Sequence, residues 1–275
     1  MKSVKILAVL LALCLLAGSA YSAELKIGHL SKLNMTPEEF AKFNDYNVSQ
    51  GKIAIFSAGE PSPAKHVFYD SLVAMQMALN AGEIDAISLP EDVGEYFMNV
   101  NSGYKIVSIV RTLPSSLSFG FRKDDDPALR NSFNEALMSM KADGTLAILQ
   151  DKYIAEPGID EPEPVEFREF ENVDRKVKVA VTGDLPPIDF VAANGKPAGF
   201  NTAVLAEIAK RLKINVELVD IESGARAAAL ASGRVDAVFW FQFHKDAEKQ
   251  ADVPEGVVLS ESYYSWNEIL NIGKK

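Results

Sequence analysis

The sequence predicts an α/β protein made of two similar βαβαβ units, and an internal repeat is the main reason. Residues 78–87 and 229–238 both run from a helix end through a glycine and a charged residue to an aspartate within an apolar strand. The glycine of each segment can adopt the left-handed conformation that ends a helix. The strands that follow, 84–89 and 235–241, are almost continuously apolar, which is typical of parallel strands covered on both faces. Parallel sheets with right-handed crossovers are therefore expected.

The first unit is predicted element by element. Its order is a strand at Leu25–Leu30, a helix that begins after Thr36, a strand at His66–Tyr69, a helix over Ser71–Ala81 and a strand at Ile84–Leu89. Thr36 is a favourable N-cap, and a proline and two acids follow it in the first turn. An additional strand at Ile53–Phe56 interrupts the correspondence with the second unit.

The second unit repeats the pattern. Its order is a strand at Val177–Val181, a helix over Thr202–Leu212, a strand at Asn215–Ile221, a helix over Gly224–Ser232 and a strand at Val235–Phe241. Between the units we expect a strand at Leu117–Arg122 and an amphipathic helical stretch over 124–152, broken at Gly144. Residues 156–175 contain three prolines and eight acidic residues and predict an exposed, extended linker.

The first residues have the pattern of a secretory signal peptide over 1–22. Lys2 and Lys5 precede an apolar run at 6–17, and small residues follow it. The run is shorter than the roughly 20 residues of a membrane span; an N-terminal membrane anchor is the alternative. Leu13 directly precedes Cys14, where a lipoprotein would have a small residue, so no lipidation is expected. These features predict a soluble, exported protein.

Composition and charge exclude several classes of function. The chain has 275 residues, 48% of them hydrophobic, and a net charge of −10. This acidic balance argues against binding to nucleic acid, which requires a basic face. The single cysteine excludes a disulfide framework, and His29, His66 and His244 lack metal-ligand spacing. No catalytic or phosphate-binding motif is present, so the sequence predicts a protein without enzyme activity, metal or cofactor.

Several motifs together resemble a known family. They are Gly-Asp-x-Pro-Pro at 183–187, Asn-Gly at 194–195, Gly-Phe at 199–200, Gly-Arg-Val-Asp at 233–236, Ser-Glu-Ser-Tyr-Tyr at 260–264, Phe-Gly-Phe-Arg-Lys at 119–123 and Ala-Asp-Gly-Thr at 142–145. The chain resembles bacterial extracellular solute-binding proteins of family 3, the periplasmic binding proteins of amino-acid ABC transporters. The resemblance implies a two-lobed periplasmic binding protein type II fold, a periplasmic location, a monomer, a small-molecule ligand between the lobes and a membrane permease as partner.

The motif order departs from that family. The segment that usually opens the chain lies at 176–275, after the segments that usually follow it. We therefore predict a circular permutant, with lobe B at 23–111, a closing segment of lobe A at 112–155 and the main part of lobe A at 176–275. Termini that lie close together make such a rearrangement tolerable. Two independent half-size domains are the alternative.

The ligand site is expected at the carboxyl ends of the parallel strands. The candidate ligand-binding residues are Asn34, Thr36, Ser88, Glu91, Asp184, Leu185, Arg226, Trp240 and Gln242. The turn at 34–36 precedes a helix whose N-terminus would attract an anion. By the resemblance, Asp184 matches an acid of the family's site.

Other positions depart from the family's site. The usual arginine falls on Glu248, so Arg226 or Lys245 is expected to replace it, and the usual second acid falls on Pro90, with Glu91 adjacent. Leu185 and Ile188 occupy the usual aromatic positions, so Trp240 is the expected platform for a cation or flat group, with Gln242 as a polar partner.

These patterns predict capture of a small polar solute, an amino acid or a related compound, for an ABC transporter. Because the usual arginine and aromatic are missing, another small polar or zwitterionic solute is an open alternative. A second alternative is a periplasmic lyase, similar to cyclohexadienyl dehydratases, with Glu91 or Asp184 as general acid. A third is an exported sensor without a transport role.

Overall fold

The computed structural model describes most of the chain after the predicted signal peptide. The described residues are 24–57, 64–155, 164–171, 175–245, 247 and 249–275. The predicted signal peptide, Glu248 and the first part of the predicted linker lie outside them. None of the helices within this part of the chain is long and apolar enough to cross a bilayer.

Strands and helices alternate along the described chain. The strands are β1 (Leu25–Leu30), β2 (Ala54–Ser57), β3 (Ala64–Tyr69), β4 (Ala86–Pro90), β5 (Tyr104–Arg122), β6 (Lys176–Val181), β7 (Phe190–Val191), β8 (Pro197–Ala198), β9 (Asn215–Asp220), β10 (Ala237–His244), β11 (Val257–Leu259) and β12 (Tyr264–Lys274). The helices are α1 (Pro37–Ser49), α2 (Leu72–Ala81), α3 (Glu91–Val100), α4 (Ala128–Ala142), α5 (Thr145–Gln150), α6 (Gly199–Leu212) and α7 (Arg226–Ala231).

One hydrogen-bonded sheet runs through the molecule in the order β3-β1-β4-β12-β5-β10-β6-β9, with β2 and β11 also paired to β5. At one end β1 lies between β3 and β4, and all three are parallel. At the other end β6 lies between β9 and β10, again in parallel. The two predicted βαβαβ units are thus confirmed, and they have the same internal strand order. Below, lobe B denotes residues 24–111 and lobe A residues 112–275.

Two long antiparallel strands connect the lobes. β5 has 19 residues and β12 has 11, and they pair from Tyr104–Lys274 to Leu117–Tyr264. β12 also pairs with β4 of lobe B, and β5 also pairs with β10 of lobe A. Register shifts interrupt the β5–β12 pairing, one of them between Trp266 and Glu268. The centre of the sheet is therefore shared by both lobes.

The helix ends follow the predicted local chemistry. Thr36 caps α1 by a reciprocal capping box, in which its hydroxyl accepts from the Glu39 backbone N–H and the Glu39 carboxylate accepts from the Thr36 N–H. Gly82 ends α2 with φ of 77°, and Gly233 follows α7 with φ of 72°. These left-handed conformations confirm the helix ends that the repeated segments predict.

Two segments differ from the sequence predictions. β5 is one continuous strand from Tyr104, whereas only 117–122 was expected as strand. Pro114 and several polar residues obscure its first part, which is largely half-buried or exposed because it runs between the lobes. The predicted linker is not wholly free of the core where it is described: the Asn215 side chain exchanges two hydrogen bonds with the backbone of Phe170, and Phe167 packs against the core.

Candidate functional site

A cavity of about 440 Å³ lies where the two lobes meet. Lobe B contributes residues of β1, α1, β2 and β4, and lobe A contributes Leu185, Trp240, Gln242 and Asp252. The crossing strands close one side with residues of β5 and β12. Its volume falls within the range of small-molecule sites, which measure roughly 300–1,000 Å³. The fold therefore provides a cavity large enough for a small molecule at the junction of the lobes.

Trp240 forms part of the lobe A wall and is rigidly held. It is 3% exposed, and its indole N–H donates to Asp189 Oδ2 over 2.9 Å. The guanidinium of Arg226 lies 3.6 Å from the centre of the indole ring, which is a close cation–π contact. Trp240 is thus fixed from its edge by a carboxylate and from its face by an arginine.

Arg226 and Asp252 form a buried ion pair beneath this wall. Their side chains are 0% and 1% exposed, with N–O distances of 2.7 and 3.0 Å. Arg226 also donates to the carbonyl oxygens of Ser223 and Trp240, and Asp252 Oδ2 accepts from the Gln242 N–H. The pair therefore fixes the end of β10 that faces the cavity.

Asp189 is a further buried carboxylate behind Trp240. Its Oδ2 accepts from the backbone N–H and the hydroxyl of Thr182, at 3.0 and 2.8 Å, in addition to the indole. Its Oδ1 is buried and has no hydrogen-bond partner in the described chain. Burial raises the pKa of Asp189 to about 6, although the hydrogen bonds from Thr182 and Gly183 oppose the shift.

Lys32 brings a positive charge into the cavity from lobe B. It lies two residues beyond the carboxyl end of β1, and its Nζ donates to Gln242 Oε1 over 2.8 Å. The same Nζ lies 5.9 Å from the ring centre of Phe40 on α1. Burial lowers the pKa of Lys32, Asp252 raises it and Arg226 lowers it. The Lys32–Gln242 bond joins the two lobes across the cavity.

Two histidines form another part of the lobe B wall. His29 Nε2 and His66 Nδ1 are 2.8 Å apart, which makes one ring the donor and the other the acceptor. Both rings contact Phe40 edge-on, with centres 5.1 and 5.3 Å from its own. Burial lowers the pKa of His29 well below its ordinary range, and the neighbouring His66 and Lys32 lower it further. Burial also lowers the pKa of His66.

The predicted site residues divide into two groups. Four of them line the cavity, namely Ser88, Leu185, Trp240 and Gln242. The remaining five do not belong to its lining, namely Asn34, Thr36, Glu91, Asp184 and Arg226. Lys245, the other candidate for a positive charge, is exposed.

The charged or polar residues outside the lining have other partners. Arg226 is neutralised by Asp252. Asn34 donates from its backbone to the Ala251 carbonyl and from its side chain to the Gln250 carbonyl, so it joins the lobes. Thr36 serves as the α1 cap, as described above.

The two acids predicted for the site, Asp184 and Glu91, also lie outside the cavity lining. Asp184 Oδ1 accepts from the Leu72 N–H at the start of α2, and Oδ2 accepts from the Ser223 hydroxyl over 2.6 Å. Asp184 thus meets a helix N-terminus of the other lobe, a favourable place for a carboxylate. Burial, followed by the nearby carboxylate of Glu268, raises the pKa of Glu91.

Several residues that line the cavity were not predicted from the sequence as ligand-binding residues. They are Lys32, His29, His66, Asp252, Trp266 and Asn271, all of which line the cavity. Lys32 could have been predicted from the sequence, because it lies two residues beyond the carboxyl end of a parallel strand, the edge at which such sheets bind ligands. Trp266 and Asn271 belong to the crossing strand β12. This strand lies between β4 and β5, and no local sequence pattern shows which of its side chains face the cavity.

The fold and the cavity define a two-lobed α/β protein with an interlobe cavity. Residues 177–266 match the family model of bacterial extracellular solute-binding proteins, family 3. The resemblance to this family is thereby confirmed over about a third of the chain. No curated protein matches the chain.

Solved structures of low identity resemble the chain. A ligand-binding component of an ABC-type import system from Staphylococcus aureus, with zinc bound, is 13% identical at a TM-score of 0.43; the match covers 91% of this chain and 65% of that one. The periplasmic aliphatic sulphonate binding protein SsuA from Escherichia coli is 12% identical at 0.38, with the same coverages. A prephenate dehydratase from Arthrobacter aurescens, in complex with L-Phe, is 9% identical at 0.38, covering 91% and 61%. The chain spans slightly less than two thirds of the length of these proteins.

Removing Arg226 is expected to destabilise the fold strongly. Arg226→Met leaves the Asp252 carboxylate buried without its counter-ion, which costs about 3–5 kcal/mol of unfolding free energy. Urea denaturation measures the change. The control is Arg111→Met, because Arg111 pairs with Glu268 while 60% exposed and such pairs contribute about 1 kcal/mol or less. Equal losses in the two variants would contradict the role given to the buried pair.

Asp189 is expected to make stability depend on pH. Its pKa in the folded state is about 6, against about 4 in an unfolded chain. The folded state therefore holds the proton more tightly, and the resulting stabilisation is complete below pH 4 and disappears as the pH rises through 6. Relative to Asp189→Asn, which does not titrate, the wild-type protein should lose about 2 kcal/mol between pH 4 and 7. Urea titrations at several pH values measure this difference, and a constant difference would show that Asp189 keeps an ordinary pKa.

Proposed function

We propose that this protein is an exported solute-binding protein that captures a small molecule in the interlobe cavity and delivers it to the permease of an ABC transporter. The observation that carries the proposal is the cavity itself, because both lobes and both crossing strands supply its walls. The match of residues 177–266 to a solute-binding family supports it. The predicted signal peptide supports a periplasmic location, and we expect a monomer.

Ligand capture would use the arrangement of the crossing strands. β5 and β12 are the continuous connection between the lobes, so bending within them would change the width of the cavity. Direct contacts already join the lobes at the cavity edge, among them Leu72 to Asp184 and Lys249 to Glu39. A ligand that touches both walls has higher affinity for the closed arrangement and therefore shifts the population towards it.

An amino acid is the first ligand class that the family suggests. Its ammonium group would need an acidic partner in the cavity, and the two acids proposed from the sequence, Glu91 and Asp184, lie outside the lining. The broader proposal of a small-solute ligand does not depend on this class, because it rests on the cavity and on the fold.

The same observation weakens the lyase alternative. A general acid must reach the reacting group within hydrogen-bond distance. Both oxygens of Asp184 already accept hydrogen bonds, and neither Asp184 nor Glu91 lines the cavity. A sensor without a transport role predicts the same ligand binding, and it differs from our proposal only in having no permease as partner.

Circular permutation is our proposal for the chain order, and the sheet register supports it. Ile87 of β4 pairs with Ile272 of β12 on one side and with Gly28 of β1 on the other. The first and last described strands are therefore separated by one strand, or roughly 10 Å. A short connection from Lys275 to Glu24 would restore the family's usual order.

Ligand binding can be measured by the intrinsic fluorescence of the protein. Both of its tryptophans, Trp240 and Trp266, line the cavity, so a bound solute should change the intrinsic fluorescence. Screening amino acids, amines, carboxylic acids and sugars by fluorescence and thermal shift should give at least one ligand. A ligand at 100 times its Kd adds about 2.7 kcal/mol of stability.

Filling the cavity should abolish this response. Ser88 of β4 lines the cavity, and Ser88→Phe places a ring in the space. The control is Ser139→Phe, because Ser139 is exposed on α4 and lies outside the lining. Loss of binding in both variants, or in neither, would argue against the interlobe cavity as the binding site. Reconstitution with candidate permeases then separates transport from sensing.

The permutation predicts that a rejoined chain folds. The variant begins at Pro164, continues to Lys275, joins Glu24 through a flexible linker of about six residues, long enough for the gap, and ends at Ala155. We expect cooperative unfolding and the ligand affinity of the parent. If residues 24–155 and 164–275, produced separately, each fold as stable monomers, the two-domain alternative is correct instead.

A further inference from the structure

Lys32 is the one lysine or arginine among the described residues that line the cavity. Its ammonium group donates to Gln242 Oε1, and within the described chain it forms no ion pair. An ammonium group has three N–H donors, so Lys32 keeps donor capacity. A positive charge that is placed in a largely apolar cavity without a carboxylate in direct ion-pair contact is suited to an anion supplied from outside.

A second donor on the lining lacks a partner. The indole N–H of Trp266 is buried, and nothing in the described chain accepts its hydrogen bond. Buried donors in folded proteins are nearly always paired, so an unpaired one on a cavity wall calls for an acceptor on a ligand.

Asn271 supplies another unpaired polar atom. Asn271 is 4% exposed. The nitrogen of its side-chain amide bonds to the Ser108 hydroxyl, and its amide oxygen is buried without a partner in the described chain. Because the two ends of an amide are assigned from their hydrogen bonds, the free end of Asn271 is able to present either an oxygen or an N–H to a ligand.

These groups belong to one connected wall. Trp266 lies directly opposite Ser115 in the β5–β12 pairing. The Ser115 hydroxyl accepts from Gln242 Nε2 over 3.3 Å, and Gln242 Oε1 in turn accepts from Lys32. The hydrogen-bonded series from Lys32 through Gln242 to Ser115 therefore ends at the backbone partner of Trp266, at the point where the lobes meet.

The cavity offers little to a positively charged ligand group. Two carboxylates belong to its lining, Asp45 and Asp252. Asp252 is neutralised by Arg226 and also accepts from the Gln242 N–H. Asp45 is exposed on α1, so solvent screens its charge. His29 and His66 share a hydrogen bond with each other, and His244 contacts Ser115.

Most of the remaining lining is apolar and rich in aromatic rings, and serine, threonine and asparagine side chains make up the smaller part. Phe40 and Phe43 come from α1, and Trp240 comes from β10. Ile27, Leu89 and Ile269 are among the aliphatic residues between them. Such walls suit the hydrocarbon part of a ligand, which gains free energy in proportion to the apolar area that leaves water.

We infer that the ligand is a monocarboxylate with an apolar body and without an α-ammonium group. Its carboxylate accepts from Lys32 Nζ and from the unpaired donors of the β12 wall, and its body lies against Phe40 and Trp240. This inference rests on the proposed function and specifies its ligand class. An amino acid of the same shape would carry an ammonium group into a cavity that holds Lys32 and no free, buried carboxylate.

The test compares ligands that share a similar hydrocarbon body and differ in their charged groups. One series is 3-phenylpropanoate, L-phenylalanine and 2-phenylethylamine, and the other is hexanoate, norleucine and hexylamine. Isothermal titration of the full mature chain at pH 7 should show binding of at least one carboxylate. The matching amino acid should bind about tenfold or more weakly, a factor worth about 1.4 kcal/mol, and the amine should not bind.

Three variants assign the effect to residues. Lys32→Met should weaken carboxylate binding about tenfold or more by removing the charge. Trp266→Phe keeps a ring but removes the N–H, and should weaken binding several-fold. Lys42→Met is the matched control, because Lys42 is exposed on α1 and lies outside the lining, so the affinity should stay unchanged. Thermal unfolding shows whether each variant is folded, and Lys32→Arg, which keeps a cation, should retain most of the affinity if Lys32→Met fails to fold.

The outcomes separate the two proposals. If an amino acid or amine binds as well as its carboxylate, or if folded Lys32→Met binds carboxylates like wild type, the carboxylate class is wrong while solute binding stands. If no carboxylate binds but a neutral or cationic solute binds with a change in tryptophan fluorescence, the carboxylate class is again wrong while solute binding stands. If no compound of either series or of the wider screen binds, both the ligand class and the proposed function are overturned.

Discussion

The buried ion pair between Arg226 and Asp252 is the constraint on which the lobe A wall depends. Two charges that are removed from water need close, well-directed partners, and each of these side chains has them. Through its further hydrogen bonds the pair holds the Trp240 carbonyl and the Gln242 N–H. A buried ion pair of this kind adds little net stability compared with apolar residues. Its effect here is on geometry, since it fixes the aromatic face and the amide that β10 presents to the cavity.

This pairing also determines which charge remains for a ligand. Because Arg226 is fully engaged, the positive charge that reaches the cavity is Lys32, which comes from the opposite lobe. Lobe A therefore supplies an aromatic wall, lobe B supplies the cation, and the crossing strand β12 supplies polar groups. A ligand that meets all three contacts both lobes and the connection between them. Under the proposed function, closure and recognition are coupled, because a ligand that contacted only one wall would have no preference for the closed arrangement.

Local patterns predicted most of the fold and part of the site. The repeat around Gly82 and Gly233, the Thr36 cap and the apolar parallel strands were sufficient for the order of the elements. The rule that ligands bind beyond the carboxyl ends of parallel strands predicted Ser88, Leu185, Trp240 and Gln242 as site residues, and these four line the cavity. Such signals are local, since backbone conformation and strand burial are expressed within a few residues.

The sequence by itself therefore determined the two α/β units, their helix ends and the strand ends at which a ligand can bind. Tertiary structure alone decided which charges are available there. Arg226 is neutralised by a residue 26 positions away. Asp184 accepts a hydrogen bond from a helix end 112 positions away, and Lys32 donates to Gln242 across 210 positions. The physical reason is that a side chain's charge, pKa and free hydrogen-bonding capacity depend on the partners and the burial that packing supplies, and neither is encoded in its immediate neighbours along the chain.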